Sequence, residues 1–176
     1  MTPNDDEVTV TVAVDADELA PGIVHDLQVT FAVPEGQHLY RDPVPPGMVA
    51  AAVELETEGT GLIPRPMVAP PTRPFTLSGT GDVLQVYEGS VVLTVPFTHN
   101  GSGSITTTSG REVAVRGVVR WQACDDEACG LPRRMSFDLR LPVGVNPRPD
   151  IGRAGGPGHR PMNGDAHFAR MTERRR

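Results

Sequence analysis

The sequence predicts an all-β fold, an antiparallel two-sheet β-sandwich, and three observations support that expectation. Apolar residues recur with a period of two rather than 3.6 in five separate runs. Clusters of Gly, Pro and Asn fall between the runs at short intervals. No segment combines a sustained helical stripe with capping residues. An alternating run has one face for a core and one for water, so several such runs are satisfied by stacking two sheets. An up-and-down barrel would satisfy the same pattern and remains the alternative.

The first run sets Val8, Val10, Val12 and Val14 against Thr9, Thr11 and Ala13. After the turn residues Ala20-Pro21-Gly22, a second alternates Leu27, Val29, Phe31 and Val33 with Gln28, Thr30 and Ala32. Pro34-Glu35-Gly36 and the stretch from Pro43 to Gly47 then break the chain, and Val49 to Thr57 is a weaker strand. Residues 59–76 hold Pro64, Pro66, Pro70, Pro71 and Pro74. Proline has no N–H for a ladder, so this segment is a surface connection or a bulged edge, never a central strand. A weak strand around Thr80 to Tyr87 follows, then a strong one through Val91, Leu93, Val95 and Phe97. Asn100-Gly101-Ser102-Gly103 and Ser109-Gly110 are turns. Val113, Val115, Val119 and Trp121 form the next inward face, against Arg116 and Arg120. The last run places Met135, Phe137, Leu139, Leu141 and Val143 inward, against Arg134, Ser136, Asp138 and Arg140.

The chain divides by composition. Residues 1–146 carry 19 acids and nine arginines, a net of −10, whereas residues 147–176 carry three acids and seven arginines, a net of +4. The second part is rich in Gly and Pro without apolar period and is expected to be a disordered tail behind one folded domain. An acidic body repels phosphate backbones, which argues against nucleic acid as the main partner. All 16 basic residues are arginine, so Schiff-base and P-loop lysine chemistry is excluded. No run approaches the roughly 18–20 apolar residues of a membrane span, so no direct membrane insertion is expected. The polar, acidic start Met1 to Glu7 is the reverse of a secretory signal and by itself predicts a cytoplasmic protein. His25, His99, His159 and His167 have no triad-like neighbours and are expected at the surface. Two cysteines without further Cys/His ligands leave a zinc site half built, and Gly79-Thr80-Gly81 is too short for a phosphate loop. Neither a metal nor a cofactor is called for.

Cys124 and Cys129 are the chemically distinctive pair, separated by Asp125-Asp126-Glu127-Ala128 between two strands that read as adjacent. Four intervening residues are too many for a thioredoxin-type C-x-x-C. Two reduced thiols at a hairpin tip, or an inert staple, would explain the pair equally simply. A staple closing so short a loop adds only roughly 2 kcal/mol, which weakens a purely structural purpose. Odd residues face inward on both flanking strands, so opposed positions must have an even sum, and 124 with 129 gives an odd one. The cysteines therefore cannot be partners in an unbroken ladder. Gly130-Leu131-Pro132 is the natural place for a one-residue slip, with Gly130 expected in a backbone conformation costly for other residues. A disulfide at such a tip would be exposed and easy to reduce. The intervening acids disfavour a thiolate, so a disulfide awaiting attack fits better than a cysteine that begins one.

With these residues together, the sequence resembles the amino-terminal domain of the DsbD-type thiol:disulfide interchange proteins. The similarity lies in Val118 to Cys124, Cys129-Gly130-Leu131-Pro132 and the closing strand Phe137 to Val143. Gly36 to Tyr40 and Val86 to Gly89, leading into Val91 to Pro96, agree in order. The resemblance spans roughly residues 8–143. It implies an immunoglobulin-like fold and a redox pair, Cys124 and Cys129, with Tyr40 and His38 as its aromatic neighbours. His38 stands where the family usually has tyrosine. The stretch Ser78 to Asp82, matching the family's cap loop, lacks an aromatic residue, and Phe75 is the nearby substitute. The implied activity is thiol-disulfide exchange, as one component of a protein-disulfide reductase system. The implied partners are a thioredoxin-like protein or a membrane-embedded thiol-disulfide carrier, and the implied location is periplasmic or otherwise extracytoplasmic. The alternative is a non-enzymatic immunoglobulin-like accessory domain whose cysteine pair is structural or silent.

Overall fold

Each alternating run becomes a strand with one inward face, buried in β2, β8 and β10 and half-buried in β1 and β12. The computed structural model describes residues 7–144, and these contain strands and turns but no helix. In chain order the strands begin with β1 (Thr9–Val14), β2 (Val24–Ala32), β3 (His38–Tyr40), β4 (Ala52–Leu55), β5 (Leu62–Pro64) and β6 (Arg73–Thr76). They continue with β7 (Val83–Tyr87), β8 (Ser90–His99), β9 (Ile105–Thr107), β10 (Gly110–Trp121), β11 (Ala123–Cys124) and β12 (Arg133–Pro142). The expected tail, 147–176, lies outside the described residues, as do His159 and His167.

Three antiparallel sheets result. The first runs β1-β2-β8-β5, the second β12-β10-β4 with β9 beside the start of β10, and the third β11-β3-β7-β6. These strand orders are open, so the fold is a sandwich rather than a closed barrel. The inner faces of the first two sheets interdigitate. Leu27, Val95 and Phe97 meet Val113 and Val115 in one cluster. Val29, Phe31, Val91 and Leu93 meet Val119 and Trp121 in another, which Leu39 and Tyr87 of the third sheet join. The architecture is that of an immunoglobulin-like β-sandwich.

The proline-rich segment behaves as the missing N–H donors require. Pro64 ends β5 and Pro74 lies in β6, and each of these strands is the outermost of its sheet. One glycine is dictated by close approach. A Cβ on Gly117 would sit 2.2 Å from the Glu54 carbonyl oxygen and 2.6 Å from the Phe137 ring, so the ring can cover the β4–β10 seam only over a bare backbone.

Two histidines correct the sequence reading. His25 and His99 are 6% and 0% exposed, not surface residues. Both share the inward parity of their strands, β2 and β8, and local hydrogen bonds make their burial tolerable. The Ala20 N–H donates to His25 Nε2 at 3.1 Å, and His99 Nε2 lies 2.7 Å from the Ser102 carbonyl oxygen. The short strands β3 and β9 were not legible, because three residues are too few to show a period.

Candidate functional site

β10 and β12 pair without interruption from Glu112 opposite Pro142 to Trp121 opposite Arg133. Continued, that ladder would set Cys124 against Gly130. The chain instead parts from β12 after Trp121, and Ala123 and Cys124 pair with Leu39 and His38 of β3. The returning segment makes a register of its own. Gly130 N–H donates to the Ala123 carbonyl at 2.8 Å, and Asp125 N–H donates to the Ala128 carbonyl at 2.9 Å. Cys124 and Cys129 thereby oppose each other across an isolated antiparallel bridge and form a disulfide, with Cα atoms 4.0 Å apart. The slip of one residue falls between Gly130 and Arg133, as the parity of the flanking strands requires. Gly130, however, is not among the positive-φ glycines, and a Cβ there would meet only the Ala123 carbonyl oxygen at 3.2 Å. The expectation that Gly130 adopts a backbone conformation costly for other residues is therefore wrong. Pro132, without a ladder donor, and the side chain of Gln122 accommodate the irregularity instead.

Gln122 was not singled out from sequence. The residue is 6% exposed, and its amide bridges two segments. Oε1 accepts from Val49 N–H and Nε2 donates to the Gly130 carbonyl, both at 2.9 Å. A glutamine in a polar-apolar run carries no signal of this role. Asp125 did carry one, because aspartate at the first position of a tight turn caps the amides that follow. Its Oδ1 accepts from Glu127 N–H at 2.8 Å and Ala128 N–H at 2.7 Å. Those two bonds, Ala128's foremost, hold its carboxyl below the usual range.

The two cysteines differ in environment. Cys124 is 2% exposed and belongs to a small core with Tyr40, Leu84 and Val86, whereas Cys129 is exposed. The exposed tip expected from sequence thus applies to one cysteine alone. Burial of Cys124 follows from its pairing with β3, which only the third sheet supplies.

Directly opposed residues of antiparallel strands project to the same face, so His38 shares its face with Cys124. His38 Nε2 lies 3.1 Å from Tyr40 Oη. The imidazole packs 4.3 Å, centroid to centroid, from Phe75 and meets the edge of Tyr40 at 5.1 Å. Burial lowers the pKa of His38, and Arg73 adds to that shift against the opposing pull of Glu88, Asp126 and Asp125. Burial alone raises Tyr40. Arg73 is ion-paired with Glu88, and its guanidinium carbon stands 5.9 Å from the Phe75 centroid. The stretch 78–82 forms the β6–β7 turn, closed by Leu77 N–H on the Asp82 carbonyl at 2.9 Å. Phe75, one strand residue before that turn, is the aromatic group packed against the Cys124 core.

A cleft of about 380 Å³ adjoins the disulfide, lined by both cysteines with Val8, Trp121, Leu131 and Arg133 among others. Leu131 is 83% exposed at its rim. Among the described residues no group of three or more His, Cys, Asp or Glu could hold a metal ion, and no helix is long and apolar enough to cross a membrane.

Comparison with known proteins places this geometry in context. The family model described as the thiol:disulfide interchange protein DsbD, N-terminal, matches residues 6–141. No curated protein sequence matches the chain. The Neisseria meningitidis DsbD N-terminal domain in its reduced form is similar in structure, at 15% identity and a TM-score of 0.48, over 79% of this chain and 88% of that one. The N-terminal periplasmic domain of ScsB from Proteus mirabilis is similar at 14% identity and a TM-score of 0.49, over 81% of this chain and 49% of that one.

Proposed function

The chain belongs to the family of DsbD N-terminal thiol:disulfide interchange domains, and from that premise we propose that its Cys124–Cys129 disulfide opens and closes reversibly to pass electrons between partner proteins. The observation that carries the proposal is the asymmetry of the pair: one exposed and one buried cysteine, bridged outside the main ladder. A partner's thiolate reaches Cys129. Its attack forms a mixed disulfide with Cys129, breaks the Cys124–Cys129 bond and leaves the electron pair on Cys124. A second thiolate of the partner then attacks the mixed disulfide, so the domain departs with two reduced cysteines and the partner as a disulfide. In the opposite direction the reduced domain delivers the same two electrons to an oxidised partner.

Opening this bond leaves the fold in place. The disulfide closes a six-residue loop, for which chain entropy accounts for only roughly 2 kcal/mol. The Asp125 turn, the Gln122 bridge and the pairing with β3 hold the hairpin without it. The acids of the turn suppress spontaneous thiolate chemistry, so exchange depends on a partner that supplies the nucleophile. Partners of this kind are thioredoxin-like proteins or membrane-embedded dithiol carriers. A reversible disulfide of this sort works in an oxidising compartment outside the cytoplasm.

The test is a thiol count on the purified chain equilibrated in graded glutathione and thioredoxin buffers. Reversible interconversion with a midpoint above about −300 mV is expected. A pair that stays reduced throughout, or a disulfide that resists reduction below that potential, would refute exchange and leave an accessory domain with a silent or structural pair.

A further inference from the structure

We propose that His38 stabilises Cys124 as the leaving thiolate when the disulfide opens, so that the exchange rate responds to pH through this residue. The inference rests on the exchange reading above and assigns one more residue to the same reaction.

The geometry poses a problem that the disulfide alone does not solve. When a thiolate attacks Cys129, the electron pair of the broken bond arrives on Cys124, which is 2% exposed among Tyr40, Leu84 and Val86. At that exposure little solvent reaches the anion, and the adjacent turn contributes the negative charges of Asp125 and Asp126. A buried thiolate in such surroundings is a poor leaving group, and exchange slows as the leaving thiol becomes harder to ionise.

His38 is placed to correct this. It is the residue directly opposed to Cys124, so its ring rises from the same face of the β3–β11 pair. Packing against Phe75 and Tyr40 holds the ring in place. Nε2 lies against Tyr40 Oη, so a hydrogen bond to a sulfur anion would come from the other ring nitrogen, Nδ1. In its protonated form His38 donates a charge-assisted hydrogen bond to the sulfur, the stronger class of such bonds.

The step balances. The incoming thiolate forms its bond to Cys129 and the Cys124–Cys129 bond breaks. Cys124 takes the electron pair, and the imidazolium yields its proton to it, leaving a Cys124 thiol and a neutral His38. In the reverse direction the same pairing raises the thiolate fraction of Cys124 as it resolves the mixed disulfide.

Charged groups from three segments face His38. Arg73 on β6 and Glu88 beyond β7 are ion-paired with each other. Asp125 and Asp126 reach the ring from the cysteine turn, and Tyr40 from its own strand. An ordinary carboxylate gains its proton only below about pH 5, an ordinary tyrosine loses its proton only at about pH 10 or above, and arginine stays charged. Burial holds His38 below its ordinary value of 6.5, so it is mostly neutral at neutral pH. Its protonated fraction grows as the pH falls, and the rate per attacking thiolate grows with it.

The experiment follows reduction of the whole oxidised chain by dithiothreitol between about pH 5 and about pH 8, with each rate constant divided by the concentration of thiolate anion. For the unaltered chain this normalised rate should rise about fivefold toward the acid end, the part of a charge-assisted hydrogen bond expressed at the transition state. His38→Phe, which retains a ring between Phe75 and Tyr40, should give a flat profile that converges with the unaltered chain at the alkaline end. His38→Gln should be equally flat, and it carries the test if the phenylalanine variant does not fold. A flat profile in the unaltered chain, or the same acid-side rise in both variants, overturns the role of His38 while the exchange reading stands. Failure of dithiothreitol to reduce the unaltered chain at any pH would instead overturn the exchange reading.

Discussion

Replacing Gln122 with leucine removes the bridge between the cysteine hairpin and the segment before β4 while nearly preserving side-chain volume. The amide accepts one hydrogen bond and donates another, both at 2.9 Å. Each is worth about 1 kcal/mol net, so the loss should be about 2 kcal/mol. Leucine fills the same space, so no cavity cost is added. For a folding unit of this size that loss corresponds to a fall in Tm of roughly 7 °C, measurable by circular dichroism on the oxidised chain. The chemistry should move as well. With the thiols reduced, the Gln122–Gly130 bond helps hold Cys129 opposite Cys124, whereas in the oxidised form the disulfide does so covalently. Losing it penalises closure by about 1 kcal/mol, which raises the reduction potential by about 20 mV in a glutathione titration. An unchanged Tm together with an unchanged potential would refute the bridge. A lowered potential would show that leucine tightens the hairpin and would reverse the reasoning.

Gly117→Ala should cost about 3 kcal/mol and lower the Tm by roughly 10 °C, since the new methyl meets the Glu54 backbone, which cannot withdraw without breaking the β4–β10 ladder, and displaces the Phe137 ring. A loss below about 1 kcal/mol in denaturant titration would mean that the β4–β10 seam yields. Deletion of residues 147–176, which carry no apolar pattern, should leave the melting temperature nearly unchanged. A fall of several degrees would show that the basic segment stabilises the acidic domain.

Alternation was enough to identify the five long strands β1, β2, β8, β10 and β12, because a period of two separates a core face from a wet face residue by residue. It also showed that Cys124 and Cys129 could not be regular partners, since the parity of their flanking strands is written in Trp121 and Met135. The prolines told the edges, because a missing N–H is a property of the residue itself. Tertiary structure decided the rest. His25 and His99, expected at the surface for want of triad-like neighbours, are buried at inward parity, where a nearby backbone group meets Nε2 of each, a group that no sequence pattern announces. The difference between the two cysteines, buried Cys124 and exposed Cys129, likewise has no local cause. It arises because three-residue β3, too short to show a period, pairs with Cys124 and brings His38, Tyr40 and Phe75 over it. The sequence by itself determined which residues could face a core and where the ladder had to slip. Which sulfur lies open to a partner depended on contacts between segments about 85 residues apart in the chain, where no local pattern reaches.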